Sequence, residues 1–286
     1  MKVILTGAAG QVGRALADAA PAGWRLTALT RSDLDIGDEA AVARVVETLA
    51  PDLIVNAAAY TAVDRAESEP DLAFRINRDG AGHLAAASRR SGARLIHLST
   101  DFVFDGTAGR PYSPKDLTGP LGVYGASKLA GEQAVAAAAP EALILRTAWV
   151  YGPVGSNFLA TMLRLMASRP ELGVVADQVG TPTSTLSLAS AIWTLAGKEA
   201  CGIWHYTDAG AATWYDFAVA IAEEAVAAGL LAKAPPVRPI STEDYPVPAR
   251  RPAYSVLDKS ATFALLGEPA PHWRVALRAV LAKMVS

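Results

Sequence analysis

Short apolar runs rich in valine, isoleucine and leucine alternate with longer alanine-rich segments along the first half of the chain. The runs at residues 2–6, 25–30, 53–57, 94–99 and 143–149 predict buried strands. Segments 11–20, 39–49, 71–91 and 124–139 between them carry helical patterns. Strand–helix alternation of this kind predicts βαβ crossovers, and therefore a parallel sheet covered on both faces. The abundant alanine suits helices packed closely on a sheet. Past residue 150 the texture changes, with helical patterns at 158–167, 186–196 and 214–228 and shorter strands near Val174-Val175 and at 203–206. A proline-rich stretch, residues 234–248, predicts a surface loop, because proline cannot join a central strand. The pattern thus divides into a main region, residues 1–150, and a smaller region, 151–286, interwoven with it. A ligand is expected between the two, at the carboxyl ends of the strands. No internal repeat or low-complexity linker interrupts the chain.

Composition narrows the class. The 286 residues include 26 Lys+Arg and 28 Asp+Glu, for a net charge of −2, with 51% hydrophobic and 19% charged residues. Such a chain can bury a sizeable core. The near-neutral balance argues against a nucleic-acid or acidic-membrane partner, which needs a basic surface. The one cysteine, Cys201, allows no internal disulfide and fits a reducing compartment. The apolar start breaks at Thr6-Gly7, too soon for a signal-peptide core, and no uncharged stretch approaches the roughly 18–20 residues that span a bilayer. A cytoplasmic location is expected. His83, His97, His205 and His272 are scattered, without metal-ligand spacing, and no metal is expected.

The first strand runs straight into Gly7-Ala8-Ala9-Gly10-Gln11-Val12-Gly13, and a helical pattern begins at once. Glycines permit a tight turn and let backbone approach a pyrophosphate, while the helix N-terminus offers N–H groups and a positive dipole end. The first gap is one residue wider than in the common dinucleotide fingerprint. An NAD site usually carries an acid at the end of the second strand, whereas here Arg31-Ser32 stands there, with no acid before Asp33. Arg31 and Ser32 can hold a 2′-phosphate, which favours NADPH over NADH, or Arg31 can be a solvated turn residue. Asp35-Ile36 lies just beyond, where an adenine could rest against Ile36.

Tyr124 and Lys128 form a Y-x-x-x-K pair opening a helical segment, four residues apart and so on one face. A free tyrosine, with a pKa near ~10, is a poor proton relay at neutral pH, and a neighbouring ammonium favours its phenolate. Thr100 stands at the end of the fourth strand, where its hydroxyl can cap the strand or bond both a carbonyl and Tyr124. Thr100, Tyr124 and Lys128 after a glycine turn supply what hydride transfer to a carbonyl requires, with Tyr124 as proton donor.

These segments resemble the extended short-chain dehydrogenase/reductases, and within them the dTDP-4-dehydrorhamnose reductase family. The resemblance runs nearly end to end: the glycine turn, Asn56-Ala57-Ala58-Ala59-Tyr60-Thr61-Ala62-Val63-Asp64, Ser99-Thr100-Asp101-Phe102-Val103-Phe104-Asp105-Gly106 and Val123-Tyr124-Gly125-Ala126-Ser127-Lys128. It continues through Arg146-Thr147-Ala148-Trp149-Val150-Tyr151-Gly152, Asn157-Phe158, Asp177-Gln178-Val179-Gly180-Thr181-Pro182-Thr183 and Arg251-Pro252 with Ser255 and Leu257-Asp258. It implies an α/β fold, a Rossmann-type doubly wound parallel sheet with a smaller interwoven C-terminal substrate-binding region. It also implies reduction of dTDP-4-dehydro-L-rhamnose to dTDP-L-rhamnose, the last step of a nucleotide-sugar pathway feeding cell-surface polysaccharide. By the same resemblance Gly10, Gln11 and Val12 hold the pyrophosphate, Asp35-Ile36 the adenosine, and Ala59, Tyr60 and Thr61 line the cofactor. Tyr124 and Lys128 would serve the nicotinamide ribose, and Thr100, Asp101, Trp149 and Val63 the sugar.

Several of these residues have plainer roles open to them. Trp149 can cap the core, Asp101 can fix a loop, and Asn157 can be a helix N-cap rather than meet the nucleotide. Arg251 can clamp a diphosphate with two parallel bonds or pair with an acid near Glu243-Asp244. Nucleotide-sugar dehydratases resemble T-D-E where this chain has Thr100-Asp101-Phe102, and phenylalanine cannot remove a proton. The alternatives kept are a reductase of another nucleotide-linked 4-keto-6-deoxy sugar, or a non-catalytic NADP-binding regulatory subunit. The sequence fixes no oligomeric state.

Overall fold

A computed structural model describes residues 1–285. β1 (Lys2–Thr6) leads through the glycine turn into α1 (Gln11–Asp18), followed by β2 (Arg25–Leu29), α2 (Glu39–Leu49) and β3 (Leu53–Asn56). Then come α3 (Val63–Ala66), α4 (Pro70–Phe74), a π-helical stretch (Arg75–Gly80), α5 (Ala81–Ser91) and β4 (Arg94–Thr100). A 3-10 turn (Asp101–Val103) and a loop precede α6 (Val123–Ala138) and β5 (Leu143–Thr147). These five strands are parallel neighbours in the order β2-β1-β3-β4-β5. The order reverses between β1 and β3, which opens a crevice at their carboxyl ends.

The rest of the chain folds over and into this frame. It runs β6 (Val150–Tyr151), α7 (Phe158–Met166), β7 (Leu172–Val175), β8 (Val179–Gly180), β9 (Thr183–Ser184), α8 (Thr185–Gly197) and β10 (Gly202–His205). It ends with β11 (Ala212–Thr213), α9 (Trp214–Ala227), β12 (Val237–Ile240), α10 (Ser260–Leu266) and α11 (Trp273–Val285). β10 extends the main sheet as a sixth parallel strand beside β5. α2, α5 and α6 cover one face of the sheet, through Val42, Leu84 and Val135. α1 and α8 cover the other through Leu16, Leu188 and Ile192, and the Trp193 indole N–H donates to Leu16 O at 3.1 Å. A separate core joins α7, α9 and α11 around Leu159, Phe217 and Leu277. Among the described residues no helix is long and apolar enough to cross a membrane.

Three expectations change. The helical pattern at 71–91 is one run in three geometries, widened to a π-helix at Arg75–Gly80 where it passes α6. The strand expected over 143–149 stops at Thr147, because Trp149 has a φ of +46° and turns the chain. The proline-rich stretch contains a strand after all: β12, with Pro239 in it, pairs in parallel with β7. Proline is tolerated there because the pair is two-stranded and leaves an open edge. α11 lies beyond any predicted element, although Trp273, Ala276, Leu277, Val280 and Leu281 recur at helical spacing and are buried.

α6 lies unusually close to its neighbours. A Cβ on Gly125 would sit 2.2 Å from Phe102 O, and one on Gly131 2.1 Å from Asn77 O. One turn of α6 below Lys128, Glu132 is buried in a two-pronged pair with Arg146 of β5, at 2.8 and 2.6 Å, and also accepts from the Ser99 hydroxyl. Both charges are almost fully enclosed, 3% and 4% exposed. Removing one partner of such a pair leaves a buried charge uncompensated. Glu132→Ala is therefore expected to lower stability by about 3–5 kcal/mol in urea denaturation, much more than a surface substitution does.

Candidate active site

The glycine turn forms a cradle at the reversal point of the sheet. Gly7, at φ +72°, leaves no space for a side chain, since a Cβ would meet Ala58 N at 2.5 Å and Ala57 C at 2.6 Å. Gly10 is the N-cap of α1 with no side chain capping it, and no acid stands in the first turn. Backbone N–H groups of Gln11, Val12 and Gly13 thus begin a helix whose positive end faces the crevice, which suits a diphosphate. Gln11 donates to Val150 O at 3.1 Å, and Asn157 Nδ2 lies 3.3 Å from Gln11 Oε1, so the turn is tied to the second half. Asn157 is also the N-cap of α7, its Oδ1 accepting from Ala160 N at 2.9 Å.

Arg31 and Ser32 are exposed at the end of β2, and the Ser32 and Thr30 hydroxyls are 2.7 Å apart. Asp35 forms an ion pair with Arg75. Burial opposes its ionisation, but the Gly37 N–H and the Arg75 guanidinium outweigh that and hold it below its ordinary range. Ile36 does not offer the platform expected for an adenine: it is 4% exposed and packed in the core with Val42 and Leu84. Tyr60 is likewise committed, its hydroxyl donating to Glu69 Oε2 at 2.6 Å. The loop of Ala59, Tyr60 and Thr61 is held instead by Asn77, a residue sequence reasoning missed. Asn77 accepts from Tyr60 N at 2.8 Å and donates to Tyr60 O at 3.0 Å and to Ser127 Oγ at 2.9 Å. Its only sequence signal is a lone amide in an otherwise amphipathic helical run.

Thr100, Tyr124 and Lys128 come together at the carboxyl end of β4. The Thr100 hydroxyl accepts from Phe102 N at 3.2 Å, as a cap, and donates to Asp101 Oδ1 at 3.0 Å. Phe102 meets Tyr124 edge-to-face, with centroids 5.6 Å apart. Lys128 is 3% exposed, and its Nζ donates to Leu98 O at 2.6 Å. Burial pushes the Tyr124 phenol up to about 12, with a Thr100 hydrogen bond pulling down and the Asp101 charge pushing up. Where the sequence predicts a lowered value, burial raises it instead, so Tyr124 is a neutral phenol, the form that donates a proton. Burial pulls Lys128 down to about 8, against the opposing charge of Glu132.

Asp101 is 1% exposed, and burial pushes it up to about 6 despite Ser255 and Thr100 beside it. Asp101 Oδ2 and Thr147 Oγ1 are buried with no hydrogen-bond partner among the described residues, and Thr147 lies opposite Thr100 in the sheet register. Two unpaired oxygens at neighbouring strand ends suit a hydroxyl-bearing ligand. Trp149 does more than cap: it stacks on Trp214 at 3.5 Å, with planes 5° apart. Trp214 in turn forms a wall of a 350 Å³ cavity with Phe158, Met162, Gln178, Tyr245 and Arg251. Arg251 pairs with neither Glu243 nor Asp244. Its guanidinium grips Asp64 with two bonds of 3.0 Å, tying the C-terminal half to α3, where Val63 is partly exposed.

The family described as RmlD substrate binding domain matches residues 1–286. The chain belongs to that family. It is 44% identical over 297 residues to the dTDP-4-dehydrorhamnose reductase of Burkholderia thailandensis, covering 100% of each chain. It is 47% identical to the dTDP-4-dehydrorhamnose reductase of Mycobacterium tuberculosis, covering 98% of this chain and 92% of the relative. The structure of dTDP-4-dehydrorhamnose reductase from Bacillus anthracis in complex with NADP matches with a TM-score of 0.93 at 37% identity, covering 99% of both chains. At 18% identity, a dTDP-glucose 4,6-dehydratase from Streptomyces venezuelae still matches with a TM-score of 0.79, so the Rossmann-type fold extends well beyond the family.

The raised pKa of Asp101 makes stability depend on pH. Its carboxyl keeps the proton to about 6 when folded but only to the ordinary 3.8 when unfolded. Its contribution to stability is therefore present at low pH and lost as pH rises through 6. Asp101→Asn should raise the urea midpoint at pH 8 by the equivalent of about 2–3 kcal/mol, with the gain vanishing below pH 4.

Proposed function

We propose that this protein reduces the C4 carbonyl of dTDP-4-dehydro-L-rhamnose to dTDP-L-rhamnose, the last step in making that nucleotide sugar for cell-surface polysaccharide. The observation that carries the reading is a neutral, desolvated Tyr124 beside Thr100 and Lys128 at a strand end, in a chain of this family. NADPH, when bound, supplies the hydride that C4 receives. The protein does the rest. The turn from Gly7 to Gly13 holds the diphosphate on the α1 N-terminus, and Arg31 with Ser32 meets the 2′-phosphate, so NADPH is preferred to NADH. The backbone of Ala59, Tyr60 and Thr61, braced by Asn77, lines the cofactor, and Lys128 hydrogen-bonds its ribose.

Thr100 orients the C4 oxygen, and Tyr124 donates its proton to that oxygen as the carbonyl carbon is reduced. One hydride and one proton add across the C=O bond, and Tyr124 is reprotonated from solvent before the next turnover. Asp101, Val63 and Trp149 line the sugar, and the cavity beside Trp214 takes the nucleoside. Arg251 meets the diphosphate by exchanging Asp64 for phosphate oxygens, a geometry its two parallel bonds already suit. Residues 151–286 act mainly as the substrate-binding half, and the reaction is placed in the cytoplasm.

Tyr124→Phe keeps the ring and removes the transferable proton. With dTDP-4-dehydro-L-rhamnose and the product identified, NADPH oxidation should fall about 10²–10⁴-fold, with NADPH affinity little changed. Pure folded protein that binds NADPH tightly yet never oxidises it with this sugar would sink the assignment. Arg31→Ala should raise KM for NADPH about tenfold while leaving NADH kinetics unchanged, since only the 2′-phosphate contact is lost. Equal losses with both cofactors would remove Arg31 from the phosphate site.

A further inference from the structure

A buried polar row crosses the sheet beneath α6 that the reaction above does not use. Thr6, Asn56 and His97 occupy one register on β1, β3 and β4, and each is 1% exposed. The Thr6 hydroxyl donates to Asn56 Oδ1 at 2.8 Å, and Asn56 Nδ2 lies 3.0 Å from His97 Nδ1. The Ala58 N–H also donates to Asn56 Oδ1, at 3.1 Å. That bond fixes the amide, because turning it over would set Nδ2 against a backbone N–H. An amide nitrogen only donates, so His97 Nδ1 accepts and the ring proton sits on Nε2. Nε2 is buried and has no hydrogen-bond partner among the described residues. Charging the ring offers no relief. Burial and the Lys128 ammonium together hold His97 well below its ordinary pKa.

The direction of Nε2 follows from strand alternation. Ser99, two residues along β4, reaches Glu132 on α6, so His97 faces α6 as well. Lys128 is one turn before Glu132, and its Nζ donates to Leu98 O, between His97 and Ser99 in the chain. The charged groups of α6 and β5 in this layer are Lys128, Glu132 and Arg146, and the last two neutralise each other. Two donors, His97 Nε2–H and the Lys128 ammonium, thus share a buried layer. A single oxygen that accepts from both would satisfy them, and internal water commonly fills that role.

We propose that His97 is a positioning residue: its Nε2–H and Lys128 Nζ share one buried water that sets the direction of the lysine's remaining N–H groups. This rests on the reductase reading only for its kinetic consequence. The neutral ring is fixed by Asn56, and it acts on the reaction through Lys128 without touching substrate or cofactor.

The first test is long-range ¹H–¹⁵N NMR of the full chain labelled in histidine, between pH 6 and 9. His97 should show a proton-bearing Nε2 and a bare Nδ1 that do not titrate. A proton on Nδ1, or titration in that range, would overturn the proposal. The second compares His97→Leu, which removes the donor, with His97→Gln, whose amide can still donate. Leucine should lower kcat about tenfold, raise the NADPH Kd severalfold and move the pH limb of kcat, with KM for the sugar little changed. Glutamine should restore all three to within about threefold. A folded leucine variant with unaltered kcat, NADPH Kd and pH limb, or a glutamine variant no better than leucine, would refute it. Should the leucine variant not fold, Asn56→Asp supplies the same test. Its acceptor draws the proton to Nδ1, and kcat should fall with that tautomer change. The tautomer and the NADPH Kd are read without turnover, so they still test His97 if the protein proves inactive on this sugar.

Discussion

The close packing of α6 against its neighbours governs the site. Gly125 and Gly131 have no side chain because Phe102 O and Asn77 O occupy the space a Cβ would need. A helix held that close brings Lys128 within 2.6 Å of the β4 backbone at Leu98 and sets Tyr124 beside Thr100. Glu132 then lies deep enough to close on Arg146 and Ser99. The same helix contacts the π-helical stretch, whose Asn77 fixes the loop after β3. One packing distance therefore aligns the proton donor, the ammonium and one wall of the crevice.

That closeness also sets the electrostatics. Tyr124 is raised, Lys128 lowered and Asp101 raised, each chiefly by loss of water. The three shifts favour neutral forms, so Tyr124 keeps a proton to give, while its raised pKa makes it a weaker acid than free tyrosine. Ionised Asp101 opposes folding at neutral pH, and the paired Glu132–Arg146 beneath it illustrates the other way of burying charge. Functional sites commonly retain such destabilising groups.

Beyond the sheet and core they share, the two halves of the chain are tied at the crevice by specific side-chain bonds. Gln11 and Asn157 tie the glycine turn to the start of α7, and Arg251 reaches Asp64. Both connections lie at the crevice, so groups that hold a cofactor are mechanically joined to groups that line the substrate cavity. The Trp149–Trp214 stack adds a third link, through a residue whose backbone is in the left-handed region. Side chains other than glycine adopt that conformation only where surroundings hold them, and here the stacked indole does so.

The central strands were legible because both faces of a parallel sheet are buried, which leaves continuous apolar runs such as Leu53–Asn56. The glycine turn and the Tyr124–Lys128 spacing were legible because they are local: a tight turn and one helical face depend on neighbours in the chain. Asn77, His97 and the partner of Arg251 were not, since their hydrogen bonds join residues distant in sequence, 187 positions apart for Arg251 and Asp64. The pKa of Tyr124 was misjudged for a related reason. Sequence places a lysine four residues away, but only the folded packing determines how much water remains around the phenol, and its removal is the largest influence there. Sequence alone thus determined the sheet, the cradle and the identity of the reacting groups, because those follow from periodicity and local spacing. Tertiary structure decided their protonation, their bracing and which groups were already engaged, because burial and long-range pairing exist only once the layers close.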